Sequence, residues 1–222
     1  LDEFRISISA KLGLENSVAG DQPFMDAKIN AGVADVLVRS RVKVAVGTMA
    51  VTANVADFTL PTNILAIEDC YLTSGGSQYS LARVSPIEIL DMRRNSVAGS
   101  PSTRYAVNGS QLLMLYPTPT DPADVITVYY VPRPAVLTLG TDTPSDIPSE
   151  FHDAVEYFAL AQAADLSDDA GSQDGARYTA SYENRLRMLK RAALQKGGRR
   201  LSPAVVGHRR RRPYGRPDQQ AV

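Results

Sequence analysis

The sequence predicts an α+β protein: a helical body made of N-terminal helices and a C-terminal helix pair, interrupted by an antiparallel β insert and followed by a basic arm. Three observations predict it. Apolar residues recur at helical spacing near both ends of the first 197 residues, the period shortens to two from residue 42, and Arg-rich, Pro-interrupted sequence takes over after residue 198. The expected division is therefore 1–41 and 135–197 for the helical body, 42–134 for the β-rich insert with one short helix, and 198–222 for the arm. A chain of 222 residues with 44% apolar and 22% charged side chains can bury a core, which excludes disorder for most of its length.

Phe4, Ile8 and Leu12 recur every four residues, so the chain is predicted to open with a helix, stopped near Gly13 and followed by a turn-rich stretch from Asn16 to Gln22. A second helix is expected over 22–40. Asp21 supplies a cap, Pro23 suits a first turn, and Met25, Ile29, Val33 and Val36 form one apolar stripe. From Val42 the valines at 42, 44 and 46 alternate with Lys43, Ala45 and Gly47. Further β-like runs at 49–53, 56–60, 63–73 and 77–83 are separated by turn residues, with Gly75-Gly76 as a hairpin turn. Ser85-Pro86 begins a short helix carrying Glu88 in its first turn, with Ile87, Leu90 and Met92 at partly helical spacing, ending by Arg94.

Residues 104–107 and 111–116 flank Asn108-Gly109, a dipeptide suited to a tight type I′ hairpin turn. Residues 124–131 read as a strand with apolar side chains on both faces, ended by Pro132 and Pro134. After a crossing segment, Pro148 begins a helix with Glu150, Asp153 and Glu156 toward the positive end of its dipole and Phe151, Val155 and Phe158 as the buried stripe. Its alanines at 154, 159, 161, 163 and 164 leave room for close neighbours. Beyond a polar break at 167–175, a last helix aligns Tyr178, Tyr182, Leu186, Leu189 and Ala193. Arg185, Arg187, Lys190 and Arg191 suit its C-terminal carbonyls, and Gly197-Gly198 ends it.

Lys+Arg and Asp+Glu both number 24, yet the neutral total hides two opposed blocks. Residues 1–184 hold 12 basic and 23 acidic side chains, a net of −11, whereas residues 185–222 hold 12 basic and one acidic, a net of +11. The arm contains Arg199, Arg200, Arg209, Arg210, Arg211, Arg212, Tyr214 and Arg216 among prolines and few large apolar residues. Such a segment cannot offset the entropy of ordering and is expected to order only against a partner. The residues leave three readings open for it: phosphate binding with strong salt dependence, bidentate pairing with acidic protein surface, or a solubilising tail.

Chemistry of other kinds finds little support. One cysteine, Cys70, and two histidines, His152 and His208, cannot build a disulfide framework or a Cys/His zinc site. Cys70 within a β run reads as a small buried thiol and His152 as a solvated helix-start residue. Asp168, Asp169 and Asp174 lack the ligand spacing of a calcium loop, and no phosphate-cradling glycine motif is present. No catalytic, metal or cofactor site is expected. An N-terminus without a basic start and apolar core, together with no apolar run of about 20 residues, points to a protein assembled inside a cell and not placed in a membrane.

The order of elements resembles a known family. The resemblance rests on Asp57-Phe58-Thr59-Leu60-Pro61 followed by residues 64–69, then Arg104-Tyr105-Ala106-Val107-Asn108-Gly109 and Leu113-Met114-Leu115-Tyr116-Pro117-Thr118-Pro119. Val128-Tyr129-Tyr130-Val131-Pro132-Arg133-Pro134, Ile147-Pro148-Ser149-Glu150-Phe151-His152 and a terminal helix pair complete it. Over roughly residues 20–195 this is similar to the head-to-tail adaptor, or connector, proteins of tailed bacteriophages. The resemblance implies a non-enzymatic virion protein forming a ring, commonly of twelve subunits, under the portal. It further implies an extended DNA channel and contact with the next tail component, with DNA passing through the lumen without sequence-specific binding. The arm then docks on acidic portal surface, or alternatively grips DNA as a nucleic-acid-binding virion protein would.

Overall fold

The computed structural model describes residues 1–12, 22–94, 99, 101–109, 111–164 and 171–196. These form an α+β structure of five α-helices and eight strands. Four of the helices, α1 (Asp2–Lys11), α2 (Gln22–Ser40), α4 (His152–Ala164) and α5 (Gly171–Lys196), share one core. Helix α2 spans 22–40 as its stripe predicts, and Met25, Ile29, Val33 and Val36 are all buried against α4 residues including Val155 and Leu160. Gly13, Asp21, residues 165–170 and the Gly197-Gly198 stop lie outside the described residues. Helix α5 begins at Gly171, inside the stretch the sequence reads as a polar break, because burial of Gly175, Tyr182, Leu186 and Leu189 outweighs the weak local propensity.

Two four-stranded sheets lie in the middle of the chain. The first has the order β1 (Ala45–Ala50), β8 (Val125–Pro132), β3 (Ile64–Ser74), β4 (Ser77–Ser80) and is antiparallel throughout. The second has the order β2 (Asp57–Thr59), β7 (Leu112–Tyr116), β6 (Arg104–Asn108), β5 (Ala82–Arg83), with β5 parallel to β6. Alternate residues of the two sheets face each other: Cys70, Leu72, Ile126 and Val128 from the first pack with Phe58, Tyr105, Leu113 and Leu115 from the second. The opposite face of the second sheet offers Ala106 and Met114 to Ile89 of α3 (Pro86–Arg94). Val131, Leu65 and Ala66 tie the first sheet to the helical core.

Several local expectations are corrected. The run at 77–83 divides at buried Leu81, whose neighbours belong to different sheets. On α3 the buried residue is Ile89, while Ile87 and Leu90 are exposed, since the small patch of Ala106 and Met114 accepts one side chain. Two valines of the first alternating run point outward: Val44 and Val46 are exposed, whereas Val42 packs against the helical core, and the inner side of β1 carries Ala45, Gly47 and Met49. The cause lies in β8. A Cβ at Gly47 would stand 3.3 Å from the Tyr130 ring, so that ring covers a strand with little side chain beneath it. The hairpin at Gly109 (φ 63°) is wider than a two-residue type I′ turn, because Asn108 still pairs with Leu112. Gly75 and Gly76, at φ 55° and 78°, make the predicted tight turn between β3 and β4.

The segment from β8 back to α4 is fastened to α2 by Asn30. Its Nδ2 donates to the Leu137 carbonyl (3.1 Å) and its Oδ1 accepts from the Leu137 N–H (2.8 Å), satisfying both backbone groups of a buried residue.

Candidate functional site

Charged side chains in the helical body mainly hold helices to one another. Arg5 forks onto Asp26, Nε to Oδ1 at 2.7 Å and Nη2 to Oδ2 at 2.5 Å, joining α1 to α2. Glu156, largely buried on α4, accepts from Lys11 Nζ (2.6 Å) and from the Ser7 hydroxyl. Burial alone would lower the Lys11 ammonium, but its hydrogen bond and charge pairing with Glu156 outweigh this and raise it. Asp153 pairs with Arg185 of α5 at 2.6 Å, and burial pushes its carboxyl up despite that cation. On α5, Glu183 meets Arg39 of α2 at 2.7 Å, and that hydrogen bond holds the Glu183 carboxyl below its ordinary range. Tyr182 donates to Asp35, with Arg39 5.4 Å from the centre of its ring. Glu156 thus serves an interhelix pair and not, as its sequence position suggests, the dipole of its own helix. Arg185 likewise turns sideways to Asp153.

The outer face of α5 has a different character. Arg177, Ala180, Asn184, Arg187, Met188, Arg191 and Leu194 are exposed along it. Among the described residues Arg177, Arg187 and Arg191 have no salt-bridged carboxylate. In the sequence, Arg199 follows three residues after Lys196, the last residue of α5. The predicted partner-binding residues Arg199, Arg200, Arg209, Arg210, Arg211, Arg212, Tyr214 and Arg216 all lie outside the described residues.

Residues considered for chemistry sit in structural settings. Cys70 is buried between the sheets, where burial and then the Asp69 charge push its thiol up to about 12, far from a reactive thiolate. His152 is not the solvated residue its sequence position implies: Nε2 lies 3.0 Å from the Ile147 carbonyl and its ring is 6.1 Å from that of Phe4. Among the described residues no group of three or more His, Cys, Asp or Glu is placed to hold a metal ion, and no helix is long and apolar enough to cross a membrane. Sequence reading missed the Lys11–Glu156, Arg185–Asp153 and Arg39–Glu183 pairs. They join residues about 30 to 145 positions apart, and no local pattern marks them.

The described residues thus combine helices clamped by ion pairs, a two-layer β module and a basic outer stripe on α5. Residues 1–208 match the SU10 adaptor protein family, and the chain belongs to that family, making it a bacteriophage adaptor protein. No curated protein matches the chain.

Proposed function

We propose that the protein is a non-enzymatic head-to-tail adaptor of the virion that forms a ring under the portal, prolongs the DNA channel and presents a surface to the next tail component. The observation that carries this reading is the adaptor-family match over 1–208, combined with a charge split of −11 before residue 185 and +11 from it onward. In this reading segments 1–41 and 135–197 are the ring body, 42–134 faces the tail, and 198–222 docks on the portal. Arg199, Arg200, Arg209, Arg210, Arg211, Arg212 and Arg216 pair with acidic portal surface, and Tyr214 contacts the portal with them. Individually weak contacts from an arm become strong when repeated around a ring.

Removal of residues 199–222 tests the docking role. The truncated protein is expected to remain folded and to lose retention on portal rings in a pull-down, and unchanged retention would refute the role. Arginine density favours a second reading, in which the arm grips packaged DNA. It predicts duplex affinity that falls roughly tenfold or more between low and physiological salt. A truncation that abolishes portal binding in a protein with no duplex affinity separates the two.

A further inference from the structure

Among the described residues the first sheet has two unpaired edges that differ from those of its neighbour. The second sheet ends in β2 and β5, which are three and two residues long and carry Asp57 and Arg83. Short, charged strands are poor templates for pairing. The first sheet ends in β1, Ala-Val-Gly-Thr-Met-Ala, and β4, Ser-Gln-Tyr-Ser, with no charge and no proline in either. All four residues of β4 are exposed, as are Val46, Thr48 and Ala50 of β1.

Backbone register shows which groups are free. The Val51 N–H donates to the carbonyl of Asp124, the residue directly opposite it, so hydrogen-bonded pairs alternate back along β1 at 49, 47 and 45. Val46, Thr48 and Ala50 therefore direct N–H and C=O away from the sheet. At the other edge the Leu81 N–H donates to Cys70, again directly opposite, so Tyr79 and Ser77 bond to β3 while Gln78 and Ser80 direct their backbone groups outward.

We propose that these edges meet between copies, β1 of one subunit adding to β4 of the next. The proposal rests on the ring reading and specifies its contact. Parity supports it in three ways. Val46, Thr48 and Ala50 lie on the same sheet face as Tyr129, Thr127 and Val125, and Gln78 and Ser80 lie on that face too, through their partners Thr73 and Tyr71. An antiparallel join of outward-bonding residues thus keeps each face continuous, with Tyr79 beside the inner residues of β1. The four strands alternate in direction, so a rotation about an axis along the strands brings the next β4 antiparallel to β1. Two different edges in contact form a head-to-tail interface, the kind that closes into a ring.

Thr48 is the middle outward residue of β1, so both full-overlap registers set it opposite Gln78 or Ser80. In the double variants T48C/Q78C and T48C/S80C, oxidation is expected to give, in one of them, a ladder of covalent multimers in steps of 24.0 kDa extending beyond the dimer. Cys70 is buried and does not contribute. Single variants should stop at the dimer. Neither double variant passing the dimer, or T48C alone dimerising as efficiently as the double variants form ladders, overturns the contact. Native mass measurement of the unmodified protein, alone and on portal rings, runs in parallel. Rings without a ladder overturn the strand contact and leave the ring reading standing, whereas neither rings nor ladder overturns both. Thr48→Pro and Gln78→Pro, which delete outward N–H groups that bond to no other described residue, should each lower the ring population at least tenfold. Wild-type ring levels in both also overturn the proposal.

Discussion

Replacement of Gly32 by alanine sets two effects of known size against each other. Gly32 is interior to α2, where alanine normally gains about 0.8–1 kcal/mol in helix propensity. A Cβ there would lie 3.1 Å from Cδ1 of Phe158, 3.2 Å from the Val155 carbonyl oxygen and 3.3 Å from Val155 Cγ1. Phe158 can turn slightly, but the Val155 carbonyl belongs to the α4 backbone, and α4 is held by the pairs Lys11–Glu156 and Asp153–Arg185. Giving way means moving a helix in a packed core, a cost of about 1–3 kcal/mol. Taking about 2 kcal/mol for overpacking against about 1 kcal/mol of propensity, the variant should be destabilised by roughly 1 kcal/mol, lowering Tm by about 2–4 °C in a chain of this size. Urea and thermal unfolding measure it. The exposed neighbour Ala31 supplies the reference, since Ala31→Gly should cost about the propensity difference alone. A Gly32→Ala protein as stable as wild type, or more stable, would refute the argument that α2 and α4 touch through this position.

Three further outcomes follow from the packing. Ile89→Ala should cost about 2–5 kcal/mol in urea unfolding, whereas Ile87→Ala, at an exposed site two residues earlier, should stay within about 0.5 kcal/mol; similar costs would mean that α3 is rotated. Asn30→Ala leaves both backbone groups of buried Leu137 unpaired and should cost about 2 kcal/mol by the same assay, and a neutral result would show that water replaces the amide. Burial raises the Cys70 thiol from 9.0 to about 12, so the unfolded chain loses this proton first. Stability from this source is complete below about pH 9 and declines as pH rises toward 12, by about 1.4 kcal/mol per pH unit for one group. In Cys70→Ala that slope should be shallower by one proton, which unfolding midpoints taken between pH 8 and 11 would detect; an unchanged slope assigns the loss to other groups, Tyr105 among them.

Helices with one apolar stripe were legible because the stripe itself names the buried face. Met25, Ile29, Val33 and Val36 recur at the period of α2 and all enter the core. The same reasoning misleads at β1 and α3. There, the covering element and not the local pattern decides which side is buried: the ring of Tyr130 takes the glycine side of β1, and the small patch of Ala106 and Met114 takes Ile89 alone. Interhelix pairs such as Lys11–Glu156 are illegible for a related reason, since each partner looks like an ordinary charged residue of its own helix.

The strand edges extend this point from burial to assembly. Charge is what sequence reading notices most readily, and here it marks the arm and obscures β1 and β4, whose distinguishing property is that they have none. An uncharged strand is unremarkable in the middle of a sheet and costly at its margin, where unpaired backbone groups invite another strand. Only the order β1-β8-β3-β4 places two such strands at the margins, and only their alternating directions make the margins complementary under rotation. In the proposed assembly, then, the arm bears on which other component the adaptor holds, while the two neutral edges bear on how one copy meets the next.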